Sequence, residues 1–112
     1  MNGGEGEITT SNICEAMHIL GAKWSYLVIS ELTQGPRRYN QMLRNLSVVK
    51  PQSLTNTLRK LEERGIVKRK VHDTIPVTVE YSLTEKGKDF QSMLVELDKW
   101  ASRWKNQSNK RE

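Results

Sequence analysis

At Gly65 the period of the chain changes from 3.6 to 2, and the rest of the sequence is organised around that change. Upstream, PQSLTNTLRKLEERG (residues 51–65) sets Leu54, Leu58 and Leu61 at i, i+4 and i+7, the narrow apolar stripe of a helix with one buried face. Pro51 suits the first turn, where a missing N–H costs nothing, and Gly65 suits the left-handed position that ends a helix. Downstream, Ile66 to His72 and Val77 to Leu83 read as strands. The second alternates Val77, Val79, Tyr81 and Leu83 against Thr78, Glu80 and Ser82, and Asp73-Thr74-Ile75-Pro76 is the turn between them.

The face of the 51–65 helix opposite the leucines carries Gln52, Asn56, Arg59 and Glu63, with Ser53 and Thr55 at its margins. Solvated helix faces are usually rich in Lys and Glu. Here the first two turns hold short amides and hydroxyls, the groups that read base edges in a major groove. Charge supports that reading through its distribution. Residues 36–70 hold ten basic side chains against Glu62 and Glu63, a local +8 in a chain whose net charge is +5. Residues 1–35 are acidic and residues 71–112 balance, so the excess marks one face suited to phosphates.

Around this centre the chain reads as one domain over residues 11–106, with a flexible arm at 1–10 and a flexible tail at 107–112. Asn12 followed by Glu15 resembles a capping box, which starts a first helix at 12–20 with the stripe Ile13, Ala16, Met17 and Leu20. A second helix over 22–33 offers Trp24, Leu27, Val28 and Leu32, and Gly35-Pro36 stops it. A short helix at 39–46 uses Tyr39, Met42, Leu43 and Leu46. Thr84 caps a final helix at about 85–105, whose buried side is Phe90, Met93, Leu94, Leu97, Ala101 and Trp104, with Trp100 near its edge. The fold class is mainly α with a small β-hairpin: a winged helix-turn-helix with extra N- and C-terminal helices. The 39–46 helix would brace the DNA backbone, the 51–65 helix would enter the groove, and Lys68, Arg69 and Lys70 on the wing would reach flanking phosphates.

Other classes find little to stand on. There is no phosphate-cradling Gly-rich loop and no nucleophile elbow, and Glu62 and Glu63 are helix neighbours that diverge, so no enzyme is expected. One cysteine and two separated histidines make neither a disulfide framework nor a metal cluster; no metal and no cofactor are expected, and a reducing compartment is. No apolar run approaches a membrane span, the first ten residues lack a basic start, and Gly3 and Gly4 miss the myristoylation pattern, so the expectation is cytoplasmic. The rival functions are a winged helix that docks an acidic protein and a sequence-independent DNA-coating protein. Phosphate or acidic contacts alone need Lys and Arg but not the amides Gln52 and Asn56, which speaks against both.

Cys14 upstream of GAKW (21–24), GPRRYNQMLRNL (35–46), LRKLEERGIV (58–67) and PVTVEYSLTEKG (76–87) together resemble the HxlR-type winged-helix transcriptional regulators of bacteria, over about residues 14–100. These are related in architecture to MarR-type regulators, whose wings are usually Asp/Arg-rich, where this one reads KRKVHDTIPVTVEY. The resemblance implies a homodimeric DNA-binding regulator whose terminal helices form the dimer interface. It also implies a redox or electrophile sensor at Cys14, with a small oxidant or electrophile as its partner. Two positions depart from the family pattern: Glu15 stands where Pro often follows the cysteine, and Lys50 stands where Ser commonly opens the recognition helix.

The resulting expectations are specific. Gln52, Ser53 and Asn56 read bases; Arg37, Arg38, Lys50, Arg59, Lys68, Arg69 and Lys70 hold phosphates of double-stranded DNA. Ile13, Met17, Phe90, Leu94, Leu97, Trp100 and Trp104 form the homodimer interface, which a two-fold operator would match. With Asn12 as cap, Cys14 would lie in the first helical turn, where the helix end favours a thiolate, with His18 one turn on and Glu15 opposing.

Overall fold

The computed structural model describes residues 7–21 and 23–111, with side chains described as far as Lys105. In chain order it contains α1 (Thr10–Leu20), α2 (Ser25–Thr33), β1 (Arg37–Arg38), α3 (Tyr39–Asn45), α4 (Pro51–Glu63), β2 (Val67–His72), β3 (Thr78–Leu83) and α5 (Glu85–Arg111). The strands form one antiparallel sheet in the order β1-β3-β2, so the expected hairpin gains a two-residue third strand that pairs Arg37 with Tyr81 and Arg38 with Glu80.

α4 is the central element. Leu54, Leu58 and Leu61 are at most 1% exposed, as their spacing requires, and Thr57 is buried beside them. Full burial of such a side chain contributes about 1.5–3 kcal/mol, which makes this stripe the main anchor of the helix. Ile19 of α1, Val28, Ile29 and Leu32 of α2, Met42 of α3, Val49 of the turn, Ile66, Val67, Tyr81 and Leu83 of the strand region, and Leu94 of α5 complete the core around it. Pro51 occupies the first turn, and Gly65 takes φ +76° just past the end. No side chain caps the start of α4; Lys50 holds the cap position in extended backbone.

The joint between α4, the sheet and α5 is built on Thr84. Its hydroxyl accepts from the Gly87 N–H at 3.0 Å, the expected N-cap, while donating to the Gly65 carbonyl; its own N–H donates to the Ile66 carbonyl at 3.0 Å. Gly87 is buried against that same Ile66 carbonyl.

Several boundaries and orientations differ from the sequence reading. α1 begins at Thr10, so Asn12 lies inside the helix and forms no capping box; Thr9 is the cap residue and offers no side-chain bond. The side chain of α1 that enters the core is Ile19. Ile13 and Met17 point outward, on the side of the helix away from buried Ile19, while Glu15 reaches across to Arg64 and Lys86. α2 starts at Ser25, and Ala22 lies outside the described residues. Of the expected arm, residues 1–6 lie outside the described part, and 7–9 are exposed and non-helical. The α5 backbone continues past 105 to Arg111, in a stretch with neither Gly nor Pro to stop it. Leu94 is buried and Phe90 and Met93 are half-buried, but Leu97, Ala101 and Trp104 are exposed, not covered as their spacing suggested.

Candidate nucleic-acid interface

The outward face of α4 is the one its sequence implied. Gln52, Asn56 and Arg59 are exposed, and Gln52 Nε2 lies 3.4 Å from Asn56 Oδ1, so the two amides sit side by side one turn apart. Ser53 and Thr55 are half-buried at the margins. Thr55 is braced from α3: the Tyr39 hydroxyl lies 2.9 Å from its Oγ1 and 3.2 Å from the Pro51 carbonyl. This contact ties the first turn of α4 to the start of α3 and sets the angle of the helix-turn-helix. A Gln41 side-chain oxygen accepts from the Arg38 N–H at 3.4 Å and steadies the same corner.

Between α3 and β3 runs an open cleft of about 830 Å³, lined by Arg38, Tyr39, Asn40, Arg44, Thr55 and Val79 among others. Asn40 and Arg44 carry no site role in the sequence reading, although they lie one turn apart on the face of α3 away from buried Met42. Arg38 and Arg44 make no salt bridge among the described residues, so two guanidinium groups face this cleft uncompensated.

Arg37 is different, and its expected phosphate role does not fit the structure. Its Nε donates to Glu31 Oε2 at 3.1 Å, one Nη to the Gln34 side chain at 3.2 Å and the other to the Pro36 carbonyl at 3.1 Å. Asn45 Nδ2 reaches the same Glu31 oxygen at 2.6 Å. The guanidinium thus serves to join α2, β1 and α3 around a half-buried carboxylate.

The wing cations are divided by the pleat. Arg69 pairs across the ladder with Tyr81, on the face shared with Val71 and Val79; Lys68 pairs with Ser82 and Lys70 with Glu80 on the opposite face. Lys68 lines a separate groove of about 470 Å³ with Gln34, Pro36, Lys88 and Gln91. Glu80, across from Lys70, also lies 3.4 Å from His72 Nε2, without hydrogen-bond alignment. Three consecutive strand residues therefore cannot act as one cluster, and Arg69 alone shares the face that borders α3 and α4.

Cys14 is exposed in the second turn of α1, not the first, in a shallow depression of about 260 Å³ shared with Met17, His18, Gly21 and Lys60. Glu15 turns away from the thiol toward Arg64 and Lys86. Of the expected interface residues, Ile13, Met17, Leu97, Trp100 and Trp104 are exposed in the single chain, whereas Leu94 is part of the core and Phe90 packs against it. Among the described residues, no helix is long and apolar enough to cross a membrane.

A helix-turn-helix whose second helix presents amides, flanked by arginines and a three-stranded wing, defines a DNA-binding transcriptional regulator of the winged-helix class. The sequence profile of the HxlR-like helix-turn-helix family matches residues 19–109, and the chain belongs to that family. An uncharacterized HTH-type transcriptional regulator from Synechocystis is 42% identical over 103 residues, covering 89% of this chain and 76% of that protein. A MarR-family regulator from Enterococcus faecalis V583 superposes with a TM-score of 0.85 at 27% identity, covering 97% of this chain and 99% of the other. The reduced form of the transcriptional regulator YodB from Bacillus subtilis gives 0.78 at 32% identity, covering 86% and 94%; YodB has also been solved after diamide treatment. The relatives are transcriptional regulators, not enzymes.

Proposed function

We propose that this chain regulates transcription in the cytoplasm as a homodimer on a pseudo-palindromic operator, and that α4 reads the sequence. The observation that carries this is the pairing of Gln52 and Asn56 on the exposed face of a helix whose other face is wholly committed to the core. Gln52 and Asn56 read base edges, with Ser53 at the margin. Arg38, Lys50, Arg59 and Arg69 hold phosphates on either side; Lys70 and Lys68, on the far face of the wing, contribute mainly to the long-range field. Arg37 is left out of the set.

Dimerisation rests on exposed apolar surface. α5 is 27 residues long, about 40 Å of helix, and its last buried apolar residue is Leu94. Beyond it Leu97, Trp100 and Trp104 stand about half exposed, as do Ile13 and Met17 on α1. A two-fold dimer that covers these faces would fit half-sites about 34 Å apart or a multiple of it, whole turns of duplex.

Cys14 supplies the control. It is exposed on the helix that carries Ile13 and Met17, and the related YodB was studied in reduced and diamide-treated forms. Two Cys14 thiols, one from each protomer, would give two electrons and two protons to a diazene oxidant, which becomes a hydrazine as the S–S bond forms. A mixed disulfide or an electrophile adduct at the same sulfur would act through the same helix.

The test of the DNA reading uses a duplex that the wild-type protein selects from a random pool, and a scrambled duplex. Asn56→Ala should lose about 1–3 kcal/mol on the selected duplex and little on the scrambled one. Equal losses on both would refute base reading by α4.

A further inference from the structure

Among the described residues, Glu15 makes the only polar side-chain contacts between α1 and the rest of the chain. Its two carboxylate oxygens take different partners: Arg64 Nη1 donates to one at 3.0 Å and Lys86 Nζ lies 3.5 Å from the other. Lys86 also donates to the Arg64 backbone carbonyl at 2.8 Å. Arg64 is the C-terminal cap residue of α4, so the Lys86 ammonium sits on the carbonyl that closes the helix, where the helix end is negative. Glu15 balances both cations and joins α1 to that end. No other polar side chain among the described residues does so.

We infer that Glu15 is a positioning residue for DNA recognition: through Arg64 and Lys86 it fixes the C-terminal end of α4 against α1 and so holds the reading face at one angle. The inference rests on α4 being the recognition helix. The lever is long. Gln52 lies near one end of α4 and Arg64 at the other, about 18 Å apart along a rigid helix, so a tilt of about 5° released at Arg64 displaces the amides by about 1.6 Å. That is enough to break hydrogen bonds to base edges, while phosphate contacts by long, mobile cations adjust. Losing Glu15 should therefore lower discrimination between sequences more than it lowers overall affinity.

The connection can be tested without reversing a charge, because Glu15 meets two cations and all three side chains can be replaced by uncharged ones of similar length. Glu15→Gln, the pair Arg64→Gln with Lys86→Met, and all three together are compared with the wild-type chain on the selected and scrambled duplexes, and each is melted thermally. Glu15→Gln should bind the selected duplex about 2- to 5-fold more weakly, the range an ion pair of this exposure transmits, with a smaller change on the scrambled one. In the chain that already lacks both cations, Glu15→Gln should change the ratio no further. A loss there equal to that in the wild-type background overturns the inference. So does a lower melting temperature of Glu15→Gln with the ratio intact, which would make the acid a surface stabiliser alone. Asn56→Ala in the same assay reports separately on α4: if it leaves the ratio intact, the recognition-helix reading fails whatever the Glu15 variants show.

Discussion

Gly87→Ala is a contest between two effects of opposite sign, and the structure decides it. Gly87 lies in the first turn of α5 with ordinary helical backbone, where alanine by itself would favour the helix by up to about 1 kcal/mol. An added Cβ would, however, stand 2.2 Å from the Ile66 carbonyl oxygen and 3.1 Å from Leu83 Cδ2. The oxygen is backbone and has to retreat by nearly an ångström. It accepts the Thr84 N–H at 3.0 Å and the Thr84 hydroxyl approaches it at 3.2 Å, while that hydroxyl caps α5 at the Gly87 N–H. Two or three hydrogen bonds at about 0.5–1.5 kcal/mol each, one of them a helix cap, outweigh the gain in propensity. The expected net loss is about 2–3 kcal/mol, or about 10–20 °C in melting temperature for a domain of this size. Urea and thermal unfolding followed by circular dichroism measure it. A variant as stable as wild type, or more so, would show that α5 shifts freely and that the joint at Thr84 does not fix the wing to the helix.

Arg37→Ala and Arg69→Ala should separate cleanly: the first costs about 1–3 kcal/mol of stability by stranding half-buried Glu31, while the second leaves stability unchanged and shallows the salt dependence of DNA binding by about one counterion. Unfolding curves and binding across a salt series would show the reverse if Arg37 were a phosphate contact. Leu97→Glu should shift sedimentation toward a monomer and weaken the two-half-site duplex far more than a single half-site; a monomeric wild-type chain at micromolar concentration would end the dimer reading. Cys14→Ser should bind the selected duplex like wild type but ignore diamide, whereas wild type should change affinity; unchanged wild-type affinity with Cys14 verifiably modified would leave the thiol a passive surface group.

Much of the recognition half was legible because its signals are local. Leu54, Leu58 and Leu61 must share a face at that spacing, and Gln52, Asn56 and Arg59 are then forced outward. Thr84 was readable as a cap and Gly65 as a stop from the residues beside them. Even the division of Lys68, Arg69 and Lys70 between two faces follows from the strand period, although adjacency in sequence suggested one cluster. Arg44 and Asn40 were equally open to that reasoning, from their spacing on α3.

What the sequence determined by itself was the five helices and the hairpin, the cap of α5 at Thr84, the stop after α4 at Gly65, and the polar outward face of α4. Only the tertiary structure decided which way α1 turns, that Arg37 is bound to Glu31, and that β1 exists at all. Two residues have no period, and a partner contributed from elsewhere in the chain leaves no trace beside the residue it holds: Glu15 and Arg64 lie 49 positions apart. The same limit applies to α5. Leu94 is covered and Leu97, Trp100 and Trp104 are not, yet all four read alike, because hydrophobicity encodes the need for cover and only packing determines how far one chain can supply it.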